Sequence, residues 1–273
     1  MARTYLLWGS AGTGKTSFAL ADATPDNPAW YAELEPGGFR RSAPRLNLAE
    51  GAVNVHAYPT PMQELETLLS GIPTLGGQGG LHADFSYQLD GWTELLNSIV
   101  TGMMAAVKAG QRPIFDTATR YWYIIRQCYE EMVQKATGAN IEKIGQLKFT
   151  WPNKIMLQSH EFPLSYGLDV IWIAHQDTVF NSDPPIYKAD TWKELPNMVD
   201  VSLQFRVSNN MPVAKIVKGA ESGMALQGLE IVAPTLSKLN AILDLAAILQ
   251  KEGKPIEKDA ELLLGLAKMD GLI

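Results

Sequence analysis

The sequence predicts an α/β fold: a twisted, mostly parallel sheet flanked by helices, with a late antiparallel hairpin. Three observations carry that prediction. Thr4-Tyr5-Leu6-Leu7-Trp8 is a short apolar run that leads into a glycine-rich turn, after which residues 15–22 read as a helix. Such a run is what a strand buried on both faces looks like. Asp169-Val170-Ile171-Trp172-Ile173-Ala174 is a second run of the same kind. Between them, Trp92, Leu95, Leu96, Ile99, Val100, Met103, Met104 and Val107 hold the i, i+3, i+4, i+7 spacing of an amphipathic helix over 92–109, with Gly110 as its stop. Both methionines of that stripe are expected in the core.

The turn after the first strand is Gly9-Ser10-Ala11-Gly12-Thr13-Gly14-Lys15-Thr16, followed by Ser17. It fits G-x-x-x-x-G-K-[ST], the phosphate-binding P-loop. Glycines let the backbone turn tightly enough for successive N–H groups to face phosphate oxygens. Lys15 would reach the β- and γ-phosphates, the Thr16 hydroxyl would ligate Mg²⁺, and the helix would point its N-terminal dipole at the same place. Residues 9–17 are therefore the expected nucleotide cradle, with ATP and Mg²⁺ as its ligands.

Composition narrows the remaining choices. The 273 residues are enough for one large α/β core, and 46% apolar with 19% charged is ordinary for a globular protein. No apolar run approaches the ~20 residues of a membrane-spanning helix, so no membrane partner is expected. The chain enters its first strand at once, which is read as leaving no room for a signal or transit peptide. The single cysteine, Cys128, has no internal partner and is expected as a small buried hydrophobe. A reducing cytoplasm is the location expected on that reading. The net charge of −6 argues against a general polyanion-binding surface and leaves any nucleic-acid contact to local loops.

The rest of the chain adds candidate groups. Ala29-Trp30-Tyr31-Ala32 reads as a strand ending in Glu33-Leu34-Glu35-Pro36-Gly37-Gly38. Carboxylates at the carboxyl end of a strand sit where open α/β sheets bind ligands. Period two puts Glu33 and Glu35 on one side, and either is able to orient or deprotonate a water attacking a γ-phosphate. Val53, Val55 and Ala57 alternate as a short strand; 62–70 reads as a short helix and 71–80 as a glycine-rich surface loop. Pro113-Ile114-Phe115-Asp116 is a short strand ending in an acid, which suits a hold on Mg²⁺ through water or, alternatively, the N-cap of a helix over 117–133. Residues 134–166 give no clear pattern. His175 closes the Asp169-to-Ala174 run and is placed to sense a γ-phosphate. Residues 177–195 mix Phe180, Tyr187 and Trp192 with Lys188 and Lys193, the pairing that single-strand-binding loops use, although four acids dilute it. Val201, Leu203, Phe205 and Val207 alternate, Asn209-Asn210 turns, and 213–218 returns as a hairpin. Lys215 and Lys218, three apart on that strand, are expected on opposite faces. A short strand at 229–232 and helices near 236–251 and 257–269 finish a single domain over 1–273, its C-terminal helical extension starting at about 235.

With these pieces in order, the chain up to about residue 233 resembles phage-type P-loop ATPases with a RecA-like core, the group that includes phage single-strand annealing ATPases. The resemblance is carried by residues 7–16, by Glu33-Leu34-Glu35-Pro36-Gly37-Gly38, by Phe115-Asp116-Thr117-Ala118-Thr119, by Ile171-Trp172-Ile173-Ala174-His175 and by Lys215-Ile216-Val217-Lys218. Beside Lys15 as a catalytic contact to the phosphates and Thr16 and Asp116 as holders of the metal, already read from the residues, the resemblance implies catalytic roles for three more. Glu35 would be the base, His175 would couple the γ-phosphate to a DNA loop, and Lys218 would reach a neighbouring subunit's nucleotide. The resemblance also implies a bacterial or phage-infected cell as the setting. It further implies Mg²⁺-dependent ATP hydrolysis coupled to single-stranded DNA in recombination or annealing, and a homo-oligomer, ring or filament. The sequence departs from RecA itself in having His175 where RecA has glutamine, and a shorter, more acidic loop after it. Two other readings stay open: a nucleotide-gated assembly or packaging partner with negligible hydrolysis, and a small-molecule or nucleotide kinase. A kinase is disfavoured because Arg206 is the only arginine after Arg126. A GTPase is disfavoured because Asn153-Lys154 is not followed by the N-K-x-D aspartate.

Overall fold

The computed structural model describes residues 2–59, 91–138, 149–179, 186–220 and 225–272. The helix expected at 62–70, the loop at 71–80 and the ring of Phe180 lie outside the described residues. Among the described residues nine strands form one sheet: β1 (Thr4–Gly9), β2 (Ala29–Glu33), β3 (Val53–Ala57), β4 (Arg112–Asp116), β5 (Val170–Val179), β6 (Ile186–Asp190), β7 (Val201–Ser208), β8 (Met211–Gly219) and β9 (Glu230–Val232). Their order is β3-β2-β4-β5-β1-β7-β8-β9, with β6 paired to β5 off that path. Every contact from β3 through to β7 is parallel, whereas β7-β8, β8-β9 and β5-β6 are antiparallel. The sheet is thus mostly parallel with a late antiparallel hairpin, as the sequence predicts.

Side-chain alternation along the strands sorts the core onto two faces. Leu6, Trp8, Trp30, Phe115 and Trp172 face one side, where α3 (Trp92–Lys108), α4 (Ala118–Thr137) and α5 (Thr150–Ser165) cover them with Leu96, Ile99, Tyr121, Ile125 and Met156. Tyr5, Leu7, Ile114, Ile171 and Leu203 face the other. That side is covered by α1 (Lys15–Leu20) and by α7 (Leu236–Lys251) and α8 (Ala260–Met269), with Phe18, Leu239, Ile242 and Leu263. Among the described residues, the further α-helices α2 (Gly38–Ser42) and α6 (Leu195–Met198) are single turns. Both faces being covered explains why the central strands read as unbroken apolar runs.

Polar side chains tie the amino ends of the strands. Asp200 Oδ2 accepts from the Thr4 amide (2.8 Å) and the Thr4 hydroxyl (3.0 Å), and the Asp200 amide donates back to Thr4 Oγ1 at 2.8 Å. Asp169 Oδ1 accepts from the Arg3 amide at 2.8 Å, and the Arg3 guanidinium reaches Asp244 on α7. The parallel neighbours β1, β5 and β7 are in this way clamped at one edge, which leaves the other edge to the loops.

Several sequence expectations need correcting. Of the methionine pair on α3, Met103 is buried but Met104 is exposed, because the helix faces the sheet along the narrower stripe of Leu96, Ile99 and Met103. Helix α5 gives little sequence signal because polar and apolar residues are mixed round it and Pro163 lies in its last turn. The strand at His175 does not stop there: β5 runs on to Val179 and pairs with β6, starting from His175 opposite Asp190. Among described residues no helix is long and apolar enough to cross a membrane.

Candidate functional site

The site stands at the carboxyl edge of the parallel strands. β1 delivers Gly9, whose φ is +151°. A Cβ there would lie 2.3 Å from the Phe205 carbonyl oxygen of β7, so only glycine fits between the two backbones. Ser10, Ala11 and Gly12 form the exposed outer bend, and the Thr13 hydroxyl closes the turn on the Ser10 carbonyl at 2.9 Å. Gly14 takes φ +95° as the residue before α1 and abuts Pro212 of the β7-β8 hairpin. Helix α1 ends at Leu20, with Ser17 in its first turn, and is shorter than the sequence suggests. The bend of backbone amides, more than a long helix dipole, is therefore what the loop offers an anion.

Lys15 is buried, and its ammonium donates to the carbonyls of Gly9 and Ser10, each at 2.8 Å. Burial pushes its pKa down, against the pull of Asp116 and Glu35. Thr16 Oγ1 donates to Asp116 Oδ2 at 2.8 Å, so the loop and the end of β4 meet. Asp116 is buried, and burial raises its pKa although hydrogen bonds from Tyr31 and Thr16 oppose the rise. The alternative N-cap role for Asp116 falls to its neighbour. Thr117 Oγ1 accepts from the Arg120 amide at 3.1 Å and so caps α4. The Asp116–Thr117 peptide is cis.

The two strand-end glutamates part company. β2 ends at Glu33, whose Oε1 accepts from the Phe39 amide at 2.9 Å and fixes the start of α2. Leu34 and Glu35 have left the strand; both of their amides donate to the Asp116 carbonyl, at 2.8 and 3.3 Å. Glu35 then meets Thr117 Oγ1 at 2.8 Å, while His175 Nε2 stands 2.8 and 3.0 Å from its two oxygens. Period-two reasoning fails here because the strand ends between the two acids. Burial pushes Glu35 up, but the hydrogen bonds from His175 and Thr117 outweigh it and the net pKa is lowered. His175 shifts the opposite way, raised by the Glu35 hydrogen bond against its own desolvation.

Lys15, Thr16, Asp116, Glu35 and His175 are thus brought together, joined through Thr117. Lys218 lies elsewhere: its ammonium donates to the carbonyls of Asn197 (2.8 Å) and Val199 at the end of α6. The pairing of β8 also corrects the expected faces of the two lysines. Lys215 lies opposite Gln204 and Lys218 opposite Ser202, because the register slips by one residue between them. That bulge at Val217 puts both lysines on one face. Trp192, expected in a base-stacking loop, is buried and donates to Asn153 Oδ1 at 3.0 Å. Tyr187 and Lys188 on β6 are exposed, with Lys188 3.2 Å from Asp177.

Thr16 and Asp116 are hard oxygen donors of the kind Mg²⁺ takes, and no cluster of three His, Cys, Asp or Glu competes among the described residues. That donor set fits an ion that draws its remaining oxygens from phosphates and water. Sequence reasoning missed Tyr31, Thr117 and Gly38. The only advance sign of Tyr31 is a phenol in a strand otherwise apolar, which needs a partner when buried.

Fold and loop together define a class: an α/β protein with a P-loop at the carboxyl edge of a mostly parallel sheet. No protein-family model matches the chain, and no curated protein matches it. Among solved structures it is similar to a KaiC-like protein from the hyperthermophilic archaeon Pyrococcus horikoshii, at 14% identity and a TM-score of 0.41, over 79% of this chain and 78% of that one.

Proposed function

We propose that the protein binds ATP with Mg²⁺ at residues 9–17 and hydrolyses it, in a RecA-like arrangement coupled to single-stranded DNA in phage-type recombination or annealing. One observation carries the reading. At the sheet's carboxyl edge Thr16 donates to Asp116, the next residue Thr117 donates to Glu35, and the neighbouring Lys15 ammonium, bonded to the Gly9 and Ser10 carbonyls, feels the charge of both acids. In use, the Lys15 ammonium exchanges the Gly9 and Ser10 carbonyls for phosphate oxygens, a charge-assisted gain over neutral acceptors. Thr16 and Asp116 would hold Mg²⁺, which supplies charge neutralisation on the transferred phosphoryl group. Glu35 is ionised and takes the proton of the attacking water as the water oxygen bonds to the γ-phosphorus; the bond to the bridging oxygen breaks and ADP leaves. His175 holds Glu35 until the substrate arrives.

The DNA reading is supported by the shared strand. His175, bonded to Glu35, is also the residue where β5 leaves its parallel neighbours and pairs antiparallel with β6, which exposes Ile186, Tyr187 and Lys188. Stacking on Tyr187 and charge from Lys188 suit a single strand. Lys218 is proposed to act across a subunit boundary in a homo-oligomer, exchanging its Asn197 and Val199 carbonyls for the neighbour's γ-phosphate. Phosphate release at steady state, with and without single-stranded DNA, tests the main reading. Turnover that stops in Lys15→Ala supports it, and no turnover in either condition favours the nucleotide-gated partner instead. For Lys218, mixing Lys218→Ala with Lys15→Ala protomers should restore part of the activity each lacks alone. A dead mixture of proteins that demonstrably co-assemble rules the trans role out.

A further inference from the structure

Asp116 is held from two sides. Its Oδ2 accepts the Thr16 hydroxyl at 2.8 Å and also the phenol of Tyr31, a fully buried residue of β2. The contact has no slack. A Cβ on Gly38 would stand 2.6 Å from the Tyr31 hydroxyl and 2.8 Å from Asp116 Oδ2. Gly38 is fixed there by the same turn that delivers Glu35: Glu33 anchors the Phe39 amide, and the Asp116 carbonyl takes the amides of Leu34 and Glu35.

We infer that Tyr31 is a positioning residue for Asp116, holding its carboxylate fixed beside Thr16 so that this pair binds Mg²⁺ in the nucleotide complex. Gly38 is the space that the contact requires. The inference rests on the nucleotide-binding reading above. A buried carboxylate that loses one of two hydroxyl donors is freer to turn away from the other. That freedom weakens a metal site, as losses of groups that orient metal ligands generally do.

The test is a Mg²⁺ titration of the full chain with a fluorescent ATP analogue, and Mn²⁺ binding to the nucleotide complex read by electron paramagnetic resonance. Tyr31→Phe should raise the half-saturating metal concentration about tenfold, with analogue affinity in EDTA unchanged. Gly38→Ala keeps the phenol but displaces it, and should shift the metal midpoint the same way; it stands in if Tyr31→Phe does not fold. A folded Tyr31→Phe with the wild-type midpoint overturns the assignment, as does a lowered melting temperature with no change in metal dependence. Loss of folding in both variants makes the contact purely structural and overturns it too. If the wild type itself binds no nucleotide in a Mg²⁺-dependent way, the failure belongs to the nucleotide-binding reading instead.

Discussion

The two edges of the sheet are both held by carboxylates, yet they are built for different ends. At the amino edge, Asp200 and Asp169 meet backbone amides and a hydroxyl, and Asp244 meets Arg3, so these acids are spent on joining strands. At the carboxyl edge, Asp116 bonds to Thr16 and Tyr31, and Glu35 to Thr117 and His175, so the side chains of both acids are met by side chains brought in from other elements. The lesson is that an acid's place in this fold is told by what it accepts from. Fixed amides mark scaffold, and side chains converging from other elements mark chemistry. Substitutions should separate the two edges cleanly, stability falling at one and turnover at the other.

The largest effect should come from Lys15→Ala, which removes the cation proposed to meet the phosphates. We expect turnover to fall by roughly 100-fold or more, with the melting temperature near wild type because the lysine contacts only loop carbonyls. Glu35→Gln comes next, with about a 100-fold loss of kcat and nucleotide binding retained, since general-base catalysis is worth that much. Single-turnover phosphate release measures both. If either variant instead unfolds in mild denaturant, the carboxyl edge is scaffold and the comparison collapses.

Asp200→Ala should do the opposite. It strands the Thr4 amide and hydroxyl together, at a cost of about 2–3 kcal/mol in urea unfolding, while kcat per folded molecule stays unchanged. A tenfold drop in kcat would show that the amino edge reaches the site. Glu33→Gln is the sharper control because it sits only two residues from Glu35. Its loss weakens the start of α2 by about 1 kcal/mol, with turnover changed no more than a few-fold; an effect equal to that of Glu35→Gln would reverse the assignment of the two acids.

The smallest effect is in pH. The lowered Glu35 pKa adds stability above the unfolded carboxyl value, about 4.3, and loses it as pH falls through the folded value. The raised His175 pKa adds stability below about 6.5 and loses it as pH rises through its own folded value. The pair is therefore worth most between roughly pH 4.5 and 6.5. With side chains 37% and 41% exposed, solvent screening keeps it under about 1 kcal/mol. His175→Gln should flatten the decline of stability above pH 6.5, measured by urea midpoints across pH. An unchanged slope would mean that the imidazole carries no charge in the pair.

Much of this was legible in the sequence where local chemistry dictates structure. The loop 9–16 announces itself because few other purposes need that glycine and lysine spacing, and β1, β4, β5 and α3 because burial on a sheet or a helix face leaves a periodic trace. Asp116 was legible as a strand-end acid. What stayed hidden depended on partners distant in sequence. Trp192 looks like a stacking residue until α5, with no clear period of its own, supplies Asn153 and buries it. The shared face of Lys215 and Lys218 turns on one extra residue in β8, and a bulge leaves no mark in composition. Tyr31 passes for an ordinary strand aromatic, since its hydroxyl partner is 85 residues away.

The first glycine of the loop has a reason of its own. Gly9 is fixed by the backbone of β7, whose Phe205 carbonyl leaves no room for a side chain, and that constraint is indifferent to any phosphate. Any chain with this β1–β7 packing would have to keep Gly9 for folding alone, whether or not Lys15 and Thr16 served a ligand. A search keyed on that glycine would therefore read architecture, not activity.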